Sequence, residues 1–235
     1  MIFEANFLMK LAGLFSGGKD SCYAVNWAIE QKYEIAVLIS IVSKNPFSFM
    51  FHTPNIKLTS FQGKAAKLPV RYTKTLGEEE KELADLKNAL IKAKKDFQIQ
   101  GITTGALAST YQKKRIESIC SELNLECFSP LWQKNQTEYV RELIEKGFEV
   151  LIVGVAAKGL DEKWLGRLLD KNALNELIEL DKKIGLNVAG EGGEYESFVL
   201  NAPFFKKKLK VIESKKHWQK DSGFLEIKKI ELVEK

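Results

Sequence analysis

The sequence predicts an α/β protein, with a doubly wound parallel sheet over about the first 130 residues and a smaller α+β part after it. Three observations lead there. Short runs of Ile, Val and Leu alternate with longer stretches of helical periodicity. Strand, helix and strand follow one another within about 30 residues, a βαβ unit, which calls for parallel strands. In the last third the pattern changes to lysine-rich runs of alternating polarity.

Lys10 to Phe15 is a short apolar run ending in glycines and reads as a buried strand. Ser21 to Gln31 reads as a helix with Tyr23, Ala24, Trp27 and Ala28 on its inner face. Glu34 to Val42 is a second strand. Pro54 can open a helix running to about Lys67, and Val70 to Thr73 is a short strand. Glu78 to Phe97 is a long helix whose Leu83, Leu86, Leu90, Ala93 and Phe97 recur at helical spacing. Its acidic start and its Lys94-Lys95 end suit the helix dipole. Ile102 to Leu107 is a strand, and Thr110 to Asn124 a helix with Ile116, Ile119, Cys120 and Leu123 inside. Thr137 to Lys146 is helical and Glu149 to Val155 is a strand. Leu174 to Ile184 is helical, Gly190-Glu191-Gly192-Gly193 breaks the pattern, and strand-like runs cover Lys206 to Ser214 and Phe224 to Val233. The expected parts are residues 1–130 and 131–235. With no repeat and no low-complexity linker, they are expected to pack closely.

At 235 residues, 45% hydrophobic and 29% charged, the chain is an ordinary globular protein. No apolar run nears the roughly 18 residues of a membrane span, and the start lacks a secretory signal. The reading is cytoplasmic, with no membrane. Three cysteines, Cys22, Cys120 and Cys127, form no CxxC pair, which argues against a disulfide framework or a zinc site. The net charge of +5 lies wholly in the C-terminal segment: Phe204 to Lys235 holds ten Lys against five acidic residues. A main domain without a basic excess is not expected to bind nucleic acid directly. The tail reads as a solvated strand face, with an acidic partner as the alternative.

The chemistry is concentrated in Ser16-Gly17-Gly18-Lys19-Asp20-Ser21, where a strand ends and a helix begins. A helix N-terminus offers unpaired N–H groups to an anion. Glycines let the backbone come close to phosphate, Ser16 and Ser21 add hydroxyls, and Lys19 adds a cation. The spacing from Gly13 to Lys19 nearly makes a Walker loop, but Asp20 stands where that loop needs Ser or Thr for magnesium. The stretch instead resembles the loop of the PP-loop ATP pyrophosphatases, with their adenine nucleotide α-hydrolase-like fold, which grip the β,γ-pyrophosphate and transfer AMP.

Other stretches resemble one branch of that superfamily, the diphthine–ammonia ligases. They are Met50-Phe51-His52 with Asn55; Gly105 to Gln112 ahead of Arg115; Pro130-Leu131-Trp132; Gly190-Glu191-Gly192-Gly193-Glu194-Tyr195-Glu196-Ser197; and Ala202-Pro203. The resemblance implies an enzyme that adenylates the carboxylate of diphthine on translation elongation factor 2 and replaces AMP with ammonia. It implies Lys19, Asp20 and Ser21 as catalytic residues. Nucleotide contacts are expected from Ser16, Gly17, Gly18, Lys19, Asp20, Ser21, Gly105 and Ser109. ATP is the expected cofactor with magnesium, Asp20 the candidate metal ligand, and free ammonium the nitrogen source. Asn187 and Asn201 depart from the pattern, where Asp is expected.

Read as chemistry, Glu191, Glu194 and Glu196 are three close carboxylates in need of a cation: magnesium, ammonium or the quaternary ammonium of diphthine. With Tyr195 they are the expected acceptor-binding residues, joined by His52 in a loop near the strand ends. The faces of Tyr195, Trp132 or Trp164 suit a quaternary ammonium. The competing readings are a PP-loop enzyme adenylating a transfer-RNA base and a non-catalytic nucleotide sensor.

Overall fold

In a computed structural model, which describes residues 8–44, 55–107 and 110–235, the first half of the chain folds around five strands. They are β1 (Lys10–Leu14), β2 (Glu34–Ser43), β3 (Val70–Thr75), β4 (Gly101–Thr103) and β5 (Glu126–Phe128), in the order β3-β2-β1-β4-β5. Every pairing is parallel. Parallel neighbours need crossovers, and these contain α1 (Lys19–Glu30), α2 (Thr59–Ala66), α3 (Glu79–Phe97) and α4 (Thr110–Glu122). From β1 the chain works outward through β2 to β3, then returns to β4 on the other side of β1. In open parallel sheets that reversal opens a crevice at the carboxyl ends of the two strands.

Alternation along the strands gives the sheet two apolar faces. Ala12, Val37, Ile39 and Ile102 meet Leu86 and Leu90 of α3 and Ile116 of α4. Leu11 and Leu38 point the other way, toward Cys22 and Val25 of α1. Helices on both faces make the sheet doubly wound. On the α1 side the core continues without a break into a second sheet.

That second sheet is antiparallel: β6 (Glu149–Val155), β7 (Tyr195–Asn201), β8 (Lys208–Gln219) and β9 (Ser222–Val233), in the order β7-β6-β9-β8. With it go α5 (Gln136–Glu145) and α6 (Lys171–Ile184). Asn135 caps α5 by accepting the Glu138 N–H, and Asp170 caps α6 by accepting the Ala173 N–H. Between the two halves, Tyr23 of α1 donates its hydroxyl to Glu142 of α5 at 2.7 Å, and Lys134 donates to the same hydroxyl at 2.8 Å while pairing with Glu142. The long β8–β9 hairpin exposes Lys210, Lys216 and Lys228 and buries Leu209, Leu225 and Ile227.

Several element bounds differ from the sequence reading. Helix α1 starts two residues earlier than expected, which puts Lys19 and Asp20 in its first turn. Strand β4 ends at Thr103 rather than Leu107, because the chain turns there to pass against α1. Strands β5 and β7 were not expected at all. The predicted helix from Pro54 is a 3-10 turn at Ile56–Leu58 followed by α2, and Pro54 itself lies outside the described residues. All three cysteines are free, with Cys22 and Cys120 buried. Among the described residues no helix is long and apolar enough to cross a membrane.

Candidate functional site

The loop between β1 and α1 sits at the reversal of the first sheet. Gly17 has φ +80°, a left-handed conformation that glycine adopts without strain. Gly18 caps α1 from an extended conformation. Ser21 closes the loop on itself: its Oγ donates to the Gly18 carbonyl at 3.0 Å and lies 3.2 Å from Ser16 Oγ. Gly105, just past β4, lies hard against this loop. A Cβ there would stand 2.6 Å from the carbonyl carbon of Asp20 and 2.7 Å from Ser21 N.

Lys19 is 3% exposed, and its ammonium donates to both oxygens of Asp20, at 3.0 and 2.9 Å. Burial alone would lower the lysine pKa. The Asp20 charge, with Tyr195 and Glu191 behind it, outweighs burial and holds the pKa above the ordinary value, so the amine stays charged. Asp20 also accepts the hydroxyl of Tyr139 at 2.8 Å. Tyr139 comes from α5, is fully buried, and packs edge-on to Tyr23 with centroids 5.3 Å apart. Burial, then the Asp20 charge, pushes its phenol pKa well up, which keeps it a donor.

The second sheet closes the other side of the loop. Ser197 Oγ accepts the Lys19 backbone N–H at 3.1 Å, and the Val199 N–H donates to the Gly17 carbonyl at 2.9 Å. Gln62 of α2, fully buried, donates through Nε2 to that same carbonyl at 2.9 Å and to the Val199 carbonyl at 2.8 Å. Its amide is fixed in this sense, since the flipped form would set oxygen against two carbonyl oxygens. Its Oε1 is left buried without a partner beside Gly17. β7 is therefore part of the loop's wall.

The glycine-rich segment before β7 splits the three expected glutamates. Glu194 folds back on its own turn, accepting the N–H groups of Gly192 at 2.8 Å and Asn187 at 3.3 Å. Glu191 contributes to the field at Lys19 and Tyr195. Glu196, half-buried on β7, faces Lys19 and Asp20. Burial lifts its carboxyl to about 7, with Lys19 opposing the shift and Asp20 adding to it. Tyr195 is buried and donates its hydroxyl to the Val188 carbonyl at 2.9 Å. Asn187 accepts the N–H groups of Ala189 and Glu191 through Oδ1, which an Asp oxygen would do equally. Asn201 Oδ1 is buried with no partner.

The aromatic faces expected to take a quaternary ammonium each carry a cation of this chain. Lys19 lies 5.3 Å from the Tyr195 centroid, Lys113 4.9 Å from that of Trp132, and Arg167 4.5 Å from that of Trp164. His52 and Ser109 lie outside the described residues. The structure brings Ser16 to Ser21, Gly105, Glu191, Tyr195 and Glu196 together and turns Glu194 into a support of its own loop.

Tyr139, Gln62 and Ser197 join the site without having been expected. Tyr139 reads in sequence as one apolar position of an amphipathic helix, beside Val140 and Leu143. Gln62 carries a faint signal, a lone amide in a short helix of small residues. Ser197 stood inside the acidic motif, but only its place on a strand gives it a role.

Among the described residues the donor set does not make a resident metal site. No three carboxylate, histidine or cysteine groups among them gather to hold an ion. Both oxygens of Asp20 are engaged by Lys19. Magnesium is usually held by one or two carboxylates together with substrate phosphates, so it would come with a nucleotide. The glycine loop, the buried cation and the helix N-terminus do suit a polyphosphate.

Residues 9–127 match the family model described as the diphthamide synthase N-terminal domain, and residues 135–233 match that of the diphthamide synthase C-terminal domain. A human protein named diphthine–ammonia ligase is 39% identical over 228 residues, covering 88% of this chain and 84% of the relative. A protein of the same name from Danio rerio is 33% identical, covering 86% of each. A solved structure described as a predicted subunit of a tRNA methyltransferase from Methanocaldococcus jannaschii is 19% identical, with a TM-score of 0.45 over 83% of this chain and 98% of that one.

Proposed function

The chain belongs to the diphthamide synthase family, and on that premise we propose that it is an ATP-dependent ligase acting on diphthine in translation elongation factor 2. ATP adenylates the diphthine carboxylate, pyrophosphate leaves, and ammonia displaces AMP to give the amide. The observation that carries this reading is the meeting of the two family signatures. The loop Ser16 to Ser21 and the strand Tyr195 to Asn201 share hydrogen bonds through Lys19, Ser197, Gly17 and Val199.

A carboxylate is a poor acyl donor, and AMP is a good leaving group. Most of the demand in such a step is positioning and stabilisation of phosphate charge. Gly17 and Gly18 let the loop backbone pack closely against Gln62 and Ser197, and Ser16 and Ser21 supply hydroxyls for the pyrophosphate. Lys19 supplies a fixed charge, aimed by Asp20, which Tyr139 orients. Ser109 and His52 are proposed further contacts, to nucleotide and acceptor. Magnesium enters as part of the substrate MgATP, shielding phosphate charge. Residues 1–130 are proposed to take the nucleotide and residues 131–235 the acceptor, with β7 serving both. Such a protein works where translation occurs, in the cytoplasm, with ammonium as nitrogen donor.

The test is chromatography of nucleotides after incubation with ATP, ammonium and diphthine-bearing elongation factor. AMP and pyrophosphate in step with amide are the expected products. ADP and phosphate as main products would overturn the reading.

A further inference from the structure

We infer that Glu196 is the general base of the amidation step, taking a proton from ammonium held beside the phosphate loop. The inference rests on the ligase reading above.

Ammonium has no lone pair and cannot attack an acyl adenylate. Near neutral pH almost all of the nitrogen is in that form, so a carboxylate able to accept a proton there has a task. Glu196 is placed for it. It lies on β7 next to Ser197, whose hydroxyl takes the Lys19 N–H at 3.1 Å, so its backbone is anchored to the loop. On the neighbouring strand β6 the residue opposite is Gly154, where a Cβ would stand 3.0 Å from Glu196 Cβ and 3.2 Å from Cγ. The absence of a side chain there lets the glutamate lie along the sheet. From α1 it is faced by Lys19 and Asp20, and β6 brings no titratable group opposite it. Its two neighbours in the motif are engaged otherwise, Glu194 by backbone N–H groups of its own turn and Tyr195 by the Val188 carbonyl. A half-buried carboxyl lifted to about 7 is matched to proton transfer at neutral pH.

In the step, one N–H bond of ammonium breaks and the proton passes to the Glu196 carboxylate. The nitrogen lone pair forms a bond to the acyl carbon, and the carbonyl π pair moves to oxygen. On collapse the acyl C–O bond to the phosphate breaks, and AMP leaves with that electron pair. The adduct nitrogen releases its second proton to water, giving the neutral amide.

The experiment separates the two half-reactions. Exchange of labelled pyrophosphate into ATP, with diphthine-bearing elongation factor and no ammonium, reports adenylation. Amide formation against pH reports the second step. Glu196→Gln is expected to retain exchange while amide formation near neutral pH falls on the order of a hundredfold. Its amide rate should then climb about tenfold per pH unit, tracking free ammonia, where the parent curve bends near neutrality. Hydroxylamine, uncharged at neutral pH, should restore acyl transfer in the variant. Glu196→Asp, which keeps a carboxylate, should keep the bend. A folded Glu196→Gln protein that loses exchange along with amidation overturns the inference, as does one whose amide profile matches the parent's. If the parent itself shows no exchange, the ligase reading fails first and takes this inference with it.

Discussion

Replacing Gly105 with Ala drives a methyl group into the backbone of the loop at residues 16–21. The new carbon would stand 2.6 Å from the Asp20 carbonyl carbon, 2.7 Å from Ser21 N and 2.8 Å from the Asp20 carbonyl oxygen. Ordinary contact begins near 3.4 Å, so the overlap is about 0.8 Å. A methyl has no torsion by which to escape, and all three neighbours are backbone at the start of α1. Either the turn after β4 or the first turn of α1 must move. Overpacking of this kind costs about 1–3 kcal/mol. The loop, where Lys19 and Asp20 sit, is the point of strain, so the cost should appear as lost nucleotide affinity of about five- to 150-fold. Titration calorimetry with a non-hydrolysable ATP analogue, beside thermal unfolding, measures both. The control is Gly147→Ala, in the turn after α5, where φ is +80° but nothing lies within 4 Å. It should lower the unfolding midpoint and leave nucleotide affinity alone. A folded Gly105→Ala protein with the parent's affinity would refute the placement of this turn against the loop.

Tyr139→Phe removes only the hydroxyl that Asp20 accepts at 2.8 Å. A hydrogen bond to a charged group is worth about 1.5–3 kcal/mol, so the denaturation midpoint should fall and pyrophosphate release should slow; no change in either would show that Asp20 does not depend on Tyr139. The stability of Glu196→Gln should depend on pH in a defined sense. The folded carboxyl titrates at about 7 against 4.5 in the unfolded chain. Between these values the folded state holds a proton that the unfolded state has released, so parent stability from this group falls as pH rises through the window. Gln does not titrate, so the variant's advantage in midpoint over the parent should grow from pH 5 to pH 8. A flat difference would mean the carboxyl is not raised.

The first half of the fold was legible because its signals are local. Ala12, Val37 and Ile39 sit in short apolar runs, and the glycines of the loop fall at a strand end before an amphipathic helix. Strand β5 carries little signal, at three residues on a sheet edge. Strand β7 was missed for a different reason. It begins two residues after Gly193, among alternating acidic residues that read as a solvated turn, and its partner β6 lies about 45 residues earlier in the chain. The lysine-rich hairpin was legible as strands but ran longer than expected, since Trp218 and Gln219, paired with Gly223 and Ser222, continue its ladder. At the site, residue type showed which groups carry charge, but spacing could not show which way they turn. Glu194 and Glu196 stand two apart; one caps its own loop and the other faces Lys19. The reach of Tyr139 from α5 to Asp20 spans 119 positions, and no local pattern encodes it.

The Gly17 carbonyl is where two distant amide hydrogens converge, one from Gln62 and one from Val199. Synthesis on the ribosome proceeds from the N-terminus, and early segments begin folding first. The strand, the loop and helix α1 therefore leave the exit tunnel long before Ser197 and Val199 have been translated. Until those residues arrive, the Lys19 N–H lacks its hydroxyl acceptor and the loop lacks one wall. On the proposed reading, ATP thus meets a finished loop only after the chain has been made past Val199. A nascent product that stops short of Ser197 would leave the Lys19 N–H and the Gly17 carbonyl without their partners from β7.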